Sequence, residues 1–251
     1  MKKVVPLLLL GILCASIVTA QEEPIPPRRS KMAKVGLFAG FTPAWLNVDV
    51  GPLNSFITAA KGAPLSSNGV VMYGGAGAIY IIVLPNVRIG GAGMSGSLTS
   101  TALDNATGLR RDAKLNVGYG GVTIEYVIPI VERLDVSAGA LLGWGGIDLT
   151  MRVGNGGSNT WDNEQTLLKG DLVAPGNNLT RTYTGKFFVY VPSVNIEYSI
   201  LGWLGARLGV SYVGMAFPSW QVDGNYDFLG VPDKVKGSGF MVQAGIFVGT
   251  F

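Results

Sequence analysis

Histidine is absent from the 251 residues, and cysteine occurs once, at Cys14. Without an imidazole the chain lacks the side chain that most often serves as general base in hydrolases of lipid or peptide. Thiol catalysis and Cys/His metal sites fall with the cysteine count, so neither a metal nor a cofactor is expected. Charge is scarce as well: Asp, Glu, Lys and Arg together make up 14% of the residues, and the mean hydropathy is +0.36. Past residue 20, however, no stretch approaches the roughly 18 uninterrupted apolar residues that a membrane-spanning helix needs. High hydropathy without such a helix points to a membrane β-barrel. Glycine is plentiful at 37 residues, without collagen period, and much of it falls inside apparent strands, where it permits close approach and curvature.

The first twenty residues carry an address. Lys2 and Lys3 precede an apolar run from Val4 to Val18, and Val18-Thr19-Ala20 supplies the small residues of a cleavage site before Gln21, the pattern of an export signal. Cys14 lies inside that run, preceded by Leu13, too large for a lipoprotein signal. The mature chain is therefore expected to start at Gln21 and to contain no cysteine. Losing Lys2 and Lys3 takes the formal net charge from +3 to +1, which leaves no basic surface for nucleic acid. Residues 21–33, with Glu22, Glu23, several prolines and Arg28-Arg29, show no apolar period and read as a flexible periplasmic leader.

From residue 34 the chain alternates with period two. In 115–146, Val122, Ile124 and Tyr126 alternate with Thr123 and Glu125. After a break at 128–133, Leu134, Val136, Ala138, Ala140, Leu142 and Trp144 stand opposite Asp135, Ser137, Gly139, Leu141, Gly143 and Gly145. The second row carries too little polarity to wet one side of a sheet, so lipid is the better solvent for the first. Further strands are expected over 34–48, interrupted by Pro43, over 70–82, 86–103 and 185–199, from Leu204 onward, and over 237–251. Phe188, Tyr190, Val194, Ile196 and Tyr198 form one face of the sixth strand; Leu204, Ala206, Leu208, Val210 and Tyr212 form one face of the seventh. Glycines blur the facing of the second and third strands. In the last, the row of Val242, Ala244, Ile246 and Val248 is the smoother apolar one, yet Gln243, Gly245, Phe247 and Gly249 share the phase of Phe251, so its facing stays open.

The count is eight strands. Connections near 49–69, 104–112, 154–184 and 223–236 are long, whereas those near 83–86, 128–133 and 200–203 are short, the asymmetry of outer-membrane barrels. On strand number, loop asymmetry, export signal and terminal Phe251, the chain resembles the small eight-stranded outer-membrane β-barrel proteins of Gram-negative bacteria over residues 34–251. The resemblance implies an all-β, antiparallel, up-and-down transmembrane barrel with both termini in the periplasm. It also implies two partners, the lipids of the outer membrane and an assembly machinery that reads the C-terminal strand and Phe251. Enzymes among such barrels resemble one another in using histidine, which this chain lacks.

Two groups of residues stand out. Arg88, Glu125, Asp135, Glu197 and Arg207 lie on the faces opposite the apolar rows and near the short turns, and are expected to form one inward charge network at the periplasmic end. Its meaning stays open between mutual compensation of buried charge, a polar gate on a ligand passage, and carboxylate catalysis by Glu125 and Glu197. The second group is a helix at 52–61: Leu53, Phe56, Ile57 and Ala60 recur at helical spacing between Pro52 and Gly62. Such a helix in the first extracellular loop needs an apolar partner and is expected to lie as a lid over mouth residues such as Tyr119, Leu141 and Val213. Tyr126, Trp144, Tyr190, Tyr198, Trp203 and Tyr212 read as an interfacial girdle, and Trp161 and Trp220 as loop aromatics where a carbohydrate could be met. Lumen-facing Ser137 and Ser211 are expected to tolerate Ala. The reading is a non-enzymatic outer-membrane barrel, structural or a narrow conduit or binding barrel for a small or apolar molecule. The alternatives are a lipid-acting barrel enzyme using carboxylates and a secreted lipocalin-like barrel.

Overall fold

The computed structural model describes residues 36–81, 83–154 and 179–249. The export signal, the leader, Cys14, Trp161, Phe251 and the connection at 155–178 lie outside the described residues. In order come β1 (Leu37–Phe41), β2 (Ala44–Val48), α1 (Gly51–Ala59), β3 (Val70–Tyr80), β4 (Val87–Asp104) and β5 (Leu109–Val131). They are followed by β6 (Leu134–Gly154), β7 (Leu179–Ser199), β8 (Leu204–Val222), β9 (Tyr226–Asp227) and β10 (Gly239–Gly249).

Every pairing is antiparallel, and the sheet closes on itself. Neighbours pair in sequence from β3 to β8, β10 pairs with β8, and β1 and β2 fill the place between β10 and β3. The ten strands make a ring of eight, because β1 and β2 are one interrupted strand and β9 is a two-residue spur on β8. Closure leaves the ring without an open edge. The interruption is Pro43, which has no N–H to give. Around it Thr42 donates its N–H to the Gly74 carbonyl, and Pro43 accepts from the Ala244 N–H. Tight curvature shows at Gly143, where a Cβ would stand 2.1 Å from the Gly120 carbonyl oxygen.

The apolar rows face outward. Val122, Ile124, Leu142, Val194, Ile196, Leu208 and Val210 are exposed on the outside of the ring, and Trp144 is 75% exposed. The last strand also resolves: Val242, Ile246 and Val248 point out, while Met241 and Phe247 are buried inside. Tyr126, Tyr190, Tyr198, Trp203 and Tyr212 share the outer surface. Trp144 meets Phe188 edge to face at 6.2 Å, and Tyr212 meets Phe240 at 5.4 Å. Such a belt is stable only in hydrocarbon, with the polar-edged aromatics at its margins.

The strands are longer than the alternation suggested. Residues 104–112 are no long loop: β4 and β5 stay paired up to Asp104↔Leu109, so that only a tight turn joins them, with Gly108 at φ +68°. The connection expected over 154–184 is likewise shortened, since β6 and β7 are paired up to Val153↔Leu179. The physical reason lies along β6. Leu134 to Trp144 puts apolar side chains outside and Asp135 and Ser137 inside. Beyond it, with phase unchanged, Ile147, Leu149 and Met151 are buried inside, while Asp148, Thr150 and Arg152 lie on the outer face. Polarity is exchanged between the faces, and the outward polar residues mimic a loop in the sequence. The apolar stretch matches the about 9–11 residues with which a tilted strand crosses hydrocarbon. The remainder is a water-facing barrel with an apolar interior.

The lipid-facing row makes a direct prediction. Val210 lies between Val194 and Val242 in adjacent strands, so Val210→Arg should cost about 2–4 kcal/mol near the bilayer midplane. Urea unfolding in phospholipid vesicles measures it; an unchanged midpoint would contradict the outward placement.

Candidate functional site

Register brings the inward charges together in pairs. Arg88 on β4 stands opposite Glu125 on β5, and Glu197 on β7 opposite Arg207 on β8. The two pairs meet across the lumen. Arg88 Nε donates to Glu125 Oε2 at 2.6 Å, and its Nη1 donates to Glu197 Oε2 at 2.8 Å, with a further bond from Nη2 to Glu197 Oε1. Arg207 reaches Glu197 at 2.9 Å and Glu125 at 3.3 Å. Glu125 and Glu197 are thus each shared by both guanidinium groups. Arg88 is only 1% exposed. Removing such ions from water is costly unless every lone pair and N–H finds a partner, which the shared geometry largely supplies. Asp135 is buried in the same layer, at the register position facing Glu197.

The layer extends to residues outside the expected charge network, Ser137 among them, whose expected tolerance of Ala the geometry does not support. Ser137 donates to Glu197 at 2.8 Å, Asn195 to Ser137 at 3.2 Å and Gln243 to Asn195 at 2.8 Å, carrying the polar chain across to β10. Ser137 is therefore a support of Glu197, and its replacement by Ala removes a bond to a buried carboxylate. Phe38 and Phe247 meet edge to face at 5.1 Å. The Arg88 guanidinium lies 4.8 Å from the Phe38 ring centre and that of Arg207 4.7 Å from Phe247, so the cations are also held by ring faces. Gln243 is a lone polar residue in an otherwise apolar strand, which by itself names no partner across the ring. Nothing in the spacing marked the two phenylalanines.

Toward the other end, the interior is apolar. Leu53 and Ile57 of α1 are buried in one cluster with Tyr119, Leu141 and Val213. The Tyr119 hydroxyl lies 3.3 Å from the sulfurs of Met94 and Met241. The helix runs Gly51–Ala59, one residue ahead of the expected start and two short of the expected end; Lys61 turns back at φ +59° and Gly62 donates to the Ile57 carbonyl at 2.9 Å. Its inward stripe is narrower than the spacing implied. Phe56 is 39% exposed at the rim, edge to face with Tyr183 at 5.3 Å, and Ala60 is exposed in the turn that ends the helix. Asn54 clamps the return segment by giving to the Leu65 carbonyl at 3.0 Å and accepting from its N–H at 2.8 Å. Trp220 belongs to β8 and packs edge to face on Phe187 at 5.7 Å, so it is no free loop aromatic.

Between charge layer and apolar cluster remains a chamber of about 50 Å³. At the far rim Asp223 accepts from the Thr182 N–H at 3.0 Å and pairs with Arg181. These partners hold its carboxyl below the usual carboxylate range. A depressed folded value means that the contact contributes fully above the unfolded pKa of about 3.9 and is lost as pH falls through the folded one. The Thr182 amide NMR shift should accordingly titrate below the ordinary Asp range; a midpoint at or above it would contradict the contact.

No protein-family model matches the chain, and no curated protein matches it significantly. Solved structures do resemble it. A major outer membrane protein from Thermus thermophilus has 12% identity and a TM-score of 0.41, covering 86% of this chain and 100% of its own. Ail, the attachment invasion locus protein of Yersinia pestis, crystallised with the heparin analogue sucrose octasulfate, has 10% identity and a TM-score of 0.37, over 87% of this chain and 99% of its own. The outer membrane protease OmpT from Escherichia coli has 10% identity and a TM-score of 0.35, over 91% and 99%.

Proposed function

We propose that the chain is a non-enzymatic structural barrel of the outer membrane with a closed lumen. The observation that carries this reading is double occlusion: the Arg88/Glu125/Glu197/Arg207 layer fills one end, and the apolar cluster with α1 fills the other. The chamber between them, about 50 Å³, falls far short of the roughly 300–1,000 Å³ typical of small-molecule pockets. Glu125 and Glu197 are each engaged by two arginines, which argues against a free carboxylate base. In this reading the short turns and both termini face the periplasm, and α1 faces outside. Its partners are the lipids against the belt and the assembly machinery that reads the C-terminal strand and Phe251.

A gated conduit for a small apolar molecule is the second reading, favoured because part of the occluding cluster comes from a loop helix and not from the barrel wall. Planar-bilayer recording separates the two. The structural reading expects no unitary conductance from the full chain, nor from a variant with 51–59 replaced by a Gly/Ser linker. Discrete steps that appear or grow in that variant would favour the conduit, and steps from the unaltered chain would overturn the closed lumen.

A further inference from the structure

Three polar atoms inside the barrel end without a hydrogen-bond partner among the described residues: Thr42 Oγ1, Arg207 Nε and Ser211 Oγ. Their residues are 4%, 6% and 6% exposed, so bulk water does not serve them. All three line the chamber above the charge layer. Orphaned buried donors and acceptors are rare and costly, and three around one void is the arrangement that internal water satisfies.

We propose that this chamber is a built hydration site, binding a small cluster of water molecules between Thr42, Ser211 and Arg207. About 50 Å³ is room for a few waters, since about 10–15 Å³ of such space is enough for one. The lining decides the chemistry. Glu125 borders the same space as Arg207, which disfavours a small anion, and an apolar occupant would leave all three groups unsatisfied. Met94, Leu141 and Met241 give the lining an apolar side, with the Tyr119 hydroxyl set against the two sulfurs at 3.3 Å, so the orphaned groups are the stronger partners for water. The Glu125 carboxylate shows the wet side: Arg207 reaches it at 3.3 and 3.4 Å, whereas Arg88, away from these orphaned atoms, reaches it at 2.6 Å. The hydrated face loosens the Arg207 contact to Glu125, while its contact to Glu197 stays at 2.9 Å. The site stands whether or not the barrel conducts.

The test is a crystal structure of the full chain at a resolution that shows ordered water, together with Thr42→Val and Ser211→Ala, which delete one hydroxyl each at nearly constant shape. Ordered water within hydrogen-bond distance of at least two of the three atoms is expected. Each variant should lose at least one such water and should unfold at lower urea concentration than the parent. An empty chamber, waters unmoved in both variants, or a urea midpoint raised by deleting either hydroxyl would overturn the proposal, because removing an orphan from a dry cavity relieves a cost.

Discussion

Replacing Arg88 with Met is expected to lower the unfolding free energy by about 3–5 kcal/mol, the cost of leaving buried charge uncompensated. Arg88 contributes three of the layer's bonds to the carboxylates and is its most deeply buried charged member. With it gone, Glu125 and Glu197 converge on Arg207 alone, whose bonds to Glu125 are already long. Arg110 provides the control: it pairs with Asp112 at 2.8 Å on a side chain that is 58% exposed, so Arg110→Met should cost under about 1 kcal/mol. Adding Glu125→Gln to Arg88→Met removes the carboxylate that Arg88 compensated and should recover part of the loss, a coupling that a double-mutant cycle reads directly. Urea titration in vesicles measures the parent, the three single variants and the double variant. A loss below about 1 kcal/mol for Arg88→Met, or additive single effects, would mean that the layer is not one electrostatic unit.

The layer also shows what a sequence can and cannot disclose. Period-two alternation states the face of a residue, and for Glu125, Asp135, Glu197 and Arg207 the inward face was legible because apolar neighbours on both sides framed them. It does not state which residue is met across the ring, so Phe38, Asn195, Phe247 and Gln243 were invisible as members. Their contacts join strands far apart in the chain, such as Asn195 on β7 with Gln243 on β10. The facing of the last strand was undecidable from its own residues, since glycine interrupts one row and both rows contain apolar side chains. Its registers with β8 and β2 decide it. The turn between β4 and β5 was misread as a long loop for a different reason. Thr99, Thr101, Asp112 and Lys114 are outward residues of paired strands above the lipid belt, and outside hydrocarbon an outward row is polar for the same reason that a loop is.

That exchange of polarity along one unbroken strand divides the barrel into two halves with different driving forces, and Ile57 separates them experimentally. Near the short turns, stability rests on lipid outside and on the charge layer inside. Near α1 it rests on the hydrophobic effect inside and on water outside, as in a soluble barrel. Ile57 is fully buried in that second core, and Gly62 packs against it closely enough that a Cβ there would stand 2.8 Å from Ile57 Cγ2. Ile57→Ala should cost about 2–5 kcal/mol of transfer and cavity energy. Because α1 touches the water-facing half, the loss should be local: amides of Ala113, Leu115 and Val117 in β5 should exchange with solvent markedly faster, while those of Val122, Ile124 and Tyr126 keep their protection. Equal loss in both stretches would show that the barrel opens as one unit, and no loss in either would show that α1 rests on the rim without contributing to the core.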